Sequence, residues 1–551
     1  MKIKKTLYHV LALCTVLCLL GTAALATGEG TPPSGGAGGT PPDGGGGGGS
    51  SSSDETGGYT LTGAYTADGE TVTYSGDSTI TSDTAGENVV LAQNGAVLTM
   101  DGVTLNKTGD YTDGDGSDFY AVNAVVAAKS ASTVYLSNAE ITSQARGANN
   151  LFASGEGSTL YAYNVKIHST SNSSRGIDAT YGGTVVGYLL DIATEGEHCA
   201  AIATDRGSGY ISVANSTLST AGSGSPLLYS TGTIEVENVT GEATGAQIVG
   251  MEGLNTVRIK NCDLTGANAK ASEPVYNGVI IYQSTSGDSS AGTAVFEATD
   301  STLTSKITSG SMFYITNTTA EITLQNTVLN FDSDACYLLY AAGNDGSNGW
   351  GSAGSNGATV TFTGVNETLS GNILCDGTST LNFYLKDSTW DGSVVNDTTY
   401  TGDGEGVSIY LGDGAVWNVT EACTVENLYV SSGATVNGLD NVTVTGTRQT
   451  DWDGSSITGT SDFTVDRTAF NTYFNVSDTK TETTTDTTAE TTAAATTAET
   501  ETEMETSQAS ETVQQGTSVW VYVVIAVAAI AVCGIVVGVR RKKGGKGKHS
   551  D

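Results

Sequence analysis

"STVYLSNAEI" (132–141) alternates apolar and polar residues as far as Asn138, then returns to an apolar residue, Ile141, three places on. With the asparagine as position zero, Val134 and Leu136 stand at −4 and −2 and Ile141 at +3. The same frame fits around Asn164, Asn215, Asn261, Asp300, Asn326, Asp387 and Asp413, and weaker copies centre on Gly102, Leu189, Asn238 and Gly364. Eleven of these twelve anchors are Asn, Asp or Gly, the residues that tolerate the left-handed backbone of a sharp bend.

Most anchors follow one another at 23–26 residues, with intervals of 36, 39 and 38 where insertions intervene. Such a period is too long for hairpins, whose turns fall every 8–12 residues, and it contains no helical pattern. A coil of short strands joined by bends, each coil stacked on the last, satisfies both facts. The chain is therefore expected to be all-β, a right-handed parallel β-helix with a C-terminal single transmembrane helix. It resembles the pectate-lyase-like β-helix shared with autotransporter adhesins and surface proteins of Gram-positive bacteria, over roughly residues 85–445. The resemblance implies a fold, not an activity. About fifteen coils at ~4.8 Å each would make a rod on the order of 70 Å long.

Both ends of the chain carry signals of their own. Residues 1–26 read as a signal peptide: Lys2, Lys4 and Lys5, an apolar run from Val10 to Leu20, and Ala24-Leu25-Ala26 for cleavage. Residues 27–58 are a Gly/Pro/Ser-rich linker and 59–476 the expected β-helix ectodomain. Residues 477–518 form a Thr/Glu/Ala-rich tract with the composition of an O-glycosylated stalk. Val519 to Val539 is uncharged and long enough to cross a ~30 Å hydrocarbon core, and the basic tail 540–551 marks the cytoplasmic side. These segments predict a single-pass cell-membrane protein with its bulk outside.

Of 23 Lys and Arg, three lie in the first 26 residues and six in the tail; of 59 Asp and Glu, only Asp551 lies in the tail. The external part thus carries about −44, which repels phosphate backbones and argues against nucleic acid as a partner. Of the five external cysteines, Cys199, Cys262, Cys336, Cys375 and Cys423, four fall near one coil position, with Cys262 apart, and read as small inward-facing thiols. Consecutive coils also leave a Cys336–Cys375 disulfide open.

Three stretches invite chemistry. "TVRIKNCDL" (256–264) contains the R-I-K triplet of polygalacturonases, but the N-T-D, D-D and G-H-G elements are missing. An in-register stack would set Arg258 beside Glu235 and Lys260 beside Glu237, an ordinary ion ladder. "SRGIDATYGG" (174–183) and "HCAAIATDRGSG" (198–209) align through Ile177 and Ile202, which would cluster Arg175, Asp178, His198, Asp205 and Arg206 on one face. A lyase would need such carboxylates and a basic group there. "DYTDGDGSDFY" (110–120) offers Asp110, Asp113, Asp115 and Asp118 as hard oxygen ligands suited to calcium, though not in an EF-hand pattern. No cofactor is otherwise required.

The insertions at 103–130, 266–291 and 341–357 should project as loops, and the third sets Trp350 among Gly, Ser and Asn, a setting for stacking on a sugar face or for folding back as a lid. Trp390, at +3, should be core, and Trp417 a flank residue. The leading expectation is a non-catalytic surface protein that binds polysaccharide or a neighbouring or host cell's surface. A polysaccharide lyase or hydrolase is the alternative, and a structural surface spacer the third.

Overall fold

The structure, a computed structural model, describes residues 57–270, 275–284, 286–348, 350–466 and 468–474. The segments read as signal peptide, stalk, transmembrane helix and tail lie outside these residues, as does all but the end of the linker. Among the described residues no helix is long and apolar enough to cross a membrane.

Strands stack in three long sheets of 13, 15 and 10 strands, in which the neighbours are parallel. One coil shows the plan: Leu151–Ser154 belongs to the first sheet, Thr159–Tyr163 to the second and Lys166–Ser169 to the third. In the last coils a four-stranded sheet, beginning with Thr368–Ser370, takes the third sheet's place. The protein is all-β and β-helix-like, and the coils start at Thr62, earlier than residue 85.

Register follows the repeat. Leu98, Val134, Leu160, Val185, Ile211 and Ile234 face one another along the second sheet, all fully buried. Each such aliphatic side chain contributes ~1.5–3 kcal/mol when a neighbouring coil covers it, so no coil is stable alone.

The bends lie where the Asn and Asp anchors put them. Asn138, Asn164, Asn215, Asn261, Asp300, Asn326 and Asp387 all have φ between 49° and 53°. Their amides also bond along the rod: Asn164 Nδ2 donates to Asn138 Oδ1 at 2.7 Å, Asn326 Nδ2 to Asp300 Oδ1 at 2.7 Å, and Asn366 Nδ2 to Asn326 Oδ1 at 2.6 Å. Two anchors need correction. The bend assigned to Gly364 is made by Asn366 (φ 56°), and that assigned to Asp413 by Gly414 (φ 72°).

The second correction moves Trp417 from a flank position to +3. It is fully buried and in register with Trp390. Cysteines move too. All five are buried and free, but Cys199 and Cys262 stand at bends in hydrogen-bonded files: Cys199 Sγ accepts from Ser174 N at 3.1 Å, and Cys199 N donates to Ser225 Oγ at 2.9 Å. Cys375 instead lies within the first sheet, paired with Ala341.

After Arg448–Gln449 the chain doubles back along the outer face of the second sheet. Trp452 packs on Tyr410, Thr460 on Thr299 and Gln325, Asp462 on Lys260, and Phe470 and Tyr473 on Tyr161 and Tyr135. This strap takes Lys260, whose ammonium meets Asp462 at 2.7 Å. Arg258 forms the expected ladder, 3.0 Å from Glu235, and extends it to Glu297 at 2.7 Å.

Candidate functional site

The outer face of the first sheet is not flat. Along one column run Phe152, Asp178, Ala203, Tyr229, Gly250, Ile280 and Tyr314, one per coil. Small residues at Ala203 and Gly250 leave a dent between larger neighbours. The three insertions build its walls: the helix Gly114–Phe119 brings Asp118 and Phe119, the second insertion brings Asp288, and the third brings Trp350. The result is a cleft of about 410 Å³, within the size range of small-ligand sites.

Arg175 lies at its floor, just before the strand Ile177–Thr180. Its guanidinium stands 3.0 Å from Asp118, 2.9 Å from Asp205 and 3.8 Å from Asp178. The contacts to Asp118 and Asp205 are ion pairs, and Arg175 Nη1 and Asp205 Oδ2 make no hydrogen bond. Asn149 braces the group, donating to Asp178 Oδ2 at 3.2 Å and accepting from Arg175 N at 2.8 Å. Asp178 Oδ1 is left without a hydrogen-bond partner at zero exposure.

One buried cation faces three carboxylates, and the electrostatics follow. Burial pushes Asp178 well above the usual carboxylate range, against the pull of Arg175, and pushes Asp205 up to about 7. Burial alone would lower Arg175, but Asp205, Asp118 and Asp178 hold it well above its ordinary value. Glu252, buried on the same sheet and accepting from Ser284, is also raised by burial. At neutral pH Asp205 can therefore either give or take a proton.

Arg175, Asp178 and Asp205 thus form one cluster. Arg206 stands beside it, bonded to Asp288 at 2.8 Å and with its guanidinium 3.8 Å from the centre of the Phe119 ring. His198 is exposed at the rim, with φ 56°. Trp350 is half-buried and stacks on Tyr282, centroids 4.4 Å apart and planes 11° apart, so that both rings form one wall.

No family model, curated protein or solved structure matches this chain. Its chemistry rests on the cleft itself.

The four aspartates of 110–118 do not converge. Asp110 accepts from Arg146 N, Asp113 from Tyr59, Asp115 sits in the first helical turn, and Asp118 turns to Arg175. Among the described residues no three His, Cys, Asp or Glu side chains are grouped to hold a metal.

Sequence reasoning missed Phe119, Tyr229, Gln247, Glu252, Tyr282 and Asp288. Their signal was present but distributed: Tyr229 and Glu252 occupy positions in first-sheet strands, Leu228–Ser230 and Val249–Glu252, whose sequences look like any other coil. Only knowledge of which outward column runs beneath all three insertions singles them out.

Proposed function

We propose that this chain is a membrane-anchored cell-surface protein whose rod binds saccharide in the cleft without turning it over. Anchoring rests on the apolar run 519–539 and the basic tail behind it. The winding is taken as right-handed, the hand that nearly all parallel β-crossovers adopt, as in the pectate-lyase-like proteins it resembles.

The observation that carries the binding role is the meeting of three separate insertions over one dent, walled by the Tyr282–Trp350 pair. Aromatic faces with polar groups alongside suit the apolar face and hydroxyls of a sugar ring. Lyase chemistry needs a base over the cleft floor, where Arg175 is surrounded by three carboxylates and Arg206 is held by Asp288, while His198 stands at the exposed rim.

Gly250 supplies a clean test. A Cβ there would meet its neighbours at no less than 3.4 Å, so the backbone admits a side chain. Gly250→Leu is expected to fill the cleft, with an unchanged melting temperature as the check that the rod is intact. The full-length protein in nanodiscs is expected to retain an oligosaccharide from a panel of neutral, acidic and amino sugars, with and without calcium. Gly250→Leu should abolish retention, and Trp350→Ala should weaken it several-fold. Retention untouched by Gly250→Leu would place binding elsewhere, and no retention at all would favour a spacer.

A hydrolase is the second reading, favoured by Asp205, whose carboxyl at about 7 is suited to a general acid. New reducing ends, lost in Asp205→Asn, would establish it over the binding reading.

A further inference from the structure

The cleft is rich in acceptors and short of positive charge. Three carboxyls, Asp118, Asp205 and Asp288, line it against the one guanidinium of Arg175, which also meets the buried Asp178, while Arg206 pairs with Asp288. One guanidinium cannot neutralise the three carboxylates around Arg175. Burial raises Asp178 and Asp205, and Asp205, at about 7, can give up its proton as a cation binds beside it.

A second, independent feature points the same way. Gln247 lines the cleft at 4% exposure, and its Oε1 has no hydrogen-bond partner. A buried acceptor left unpaired costs ~1–3 kcal/mol, so its retention at a cleft wall calls for a donor from outside. Gln247 Oε1 and the Asp205 carboxylate, both on the cleft's lining, ask for hydrogen-bond donors. A purely apolar ligand supplies none, and an anionic sugar, although its hydroxyls can donate, would set a negative charge beside Asp118, Asp205 and Asp288.

We propose that the cleft selects a protonated amino sugar, its ammonium directed to the Asp205–Gln247 side and its ring face laid on the Tyr282–Trp350 wall. This rests on the saccharide-binding reading and names its ligand class. An ammonium offers three donors and one positive charge, matching the acceptors and the deficit together. The paired rings favour a flat pyranose over a linear cationic side chain, and about 410 Å³ accommodates one or two sugar rings.

The test titrates full-length protein in nanodiscs with a β-1,4-linked glucosamine tetramer and with its fully N-acetylated counterpart, at pH 6.5. The glucosamine tetramer is expected to bind at least about tenfold more tightly, in line with the strength of hydrogen bonds to charged groups. Gln247→Leu should lower its affinity about tenfold and leave thermal stability unchanged or higher, because it removes a buried unpaired acceptor. That variant keeps the inference testable even if Asp205→Asn disturbs the Arg175 cluster. Equal binding of both tetramers, with loss in Trp350→Ala, would overturn the amino-sugar inference and leave saccharide binding standing. Binding of neither tetramer, with retention of another oligosaccharide, would do the same. Retention of no saccharide would overturn both.

Discussion

Trp417 stacks face to face on Trp390, with ring centroids 5.0 Å apart and planes 11° apart. The indole N–H of Trp390 donates to Gly371 O at 2.9 Å, and that of Trp417 to Gly392 O at 2.9 Å. Each ring therefore repeats its neighbour's burial and its neighbour's hydrogen bond one coil further on. Trp417→Ala should cost about 3–5 kcal/mol. Trp417→Phe should cost less, since it keeps an aromatic ring in the stack and loses the donor to Gly392 and the volume of the second ring. Urea unfolding followed by far-ultraviolet circular dichroism measures both, and equal losses would mean that the stack contributes nothing.

Leu189 occupies a bend built for another residue. Its φ is 57° and its side chain is 42% exposed, between the bends at Asn164 and Asn215. A left-handed backbone costs a branched side chain roughly 1–2 kcal/mol, and the amide file is interrupted there. Leu189→Asn should relieve the strain and extend the file, stabilising the rod by about 1 kcal/mol. Leu189→Gly should recover the backbone part alone. An unchanged melting temperature in both variants would show that the bend carries no strain.

What the sequence revealed depended on distance along the chain. Inward positions such as Val134, Leu136 and Ile141 were legible because each answers to an anchor a few residues away. Trp417 was misread because an anchor at Asp413 puts it at +4, facing out, while the true bend at Gly414 puts it at +3. The neighbouring Asp and Gly both tolerate a bend, and only the stack decides between them. The Arg175 cluster was legible because Ile177 and Ile202 set one register for both stretches. The strap was not, because Asp462 meets Lys260 across 202 residues with no repeat to guide it. The cleft's Asp288 was hidden for the same reason: insertions carry no register. Trp350 was singled out by its setting alone, without its partner Tyr282.

The cysteine at 199 behaves as a member of a serine file. Ser174 and Ser225 hold the equivalent bend positions, and the Sγ both accepts from Ser174 N and approaches Ser171 O at 3.2 Å. Burial pushes this thiol up to about 11, and Cys262 up to about 12. Neither should react with iodoacetamide at pH 8 in the native rod, and both should react after unfolding, as mass spectrometry would read. Cys199→Ser should cost under about 1 kcal/mol. Cys199→Val, which strips the acceptor from a buried N–H, should cost about 1–3 kcal/mol.

Glu367 gives the rod a pH dependence with a definite sign. It is buried, accepts from Thr327 N at 2.8 Å through Oε1, and has no partner for Oε2. Burial raises its carboxyl from 4.5 to about 8, partly opposed by the Thr327 N–H. Below pH 4.5 the group is protonated in folded and unfolded chains alike, and its contribution is fully present. Between 4.5 and 8 the unfolded chain has released the proton while the folded one keeps it, so stability falls as pH rises. Above 8 both are ionised and the loss is complete, on the order of a few kcal/mol at ~1.36 kcal/mol per pH unit. Other carboxyls also titrate across this range, so the informative quantity is a difference between two proteins. Glu367→Gln keeps the acceptor for Thr327 and cannot ionise. Its advantage over the wild type should be small at pH 5 and grow steadily to pH 8, read from melting temperatures in matched buffers. Parallel curves across that window would mean that Glu367 keeps an ordinary carboxylate equilibrium despite its burial.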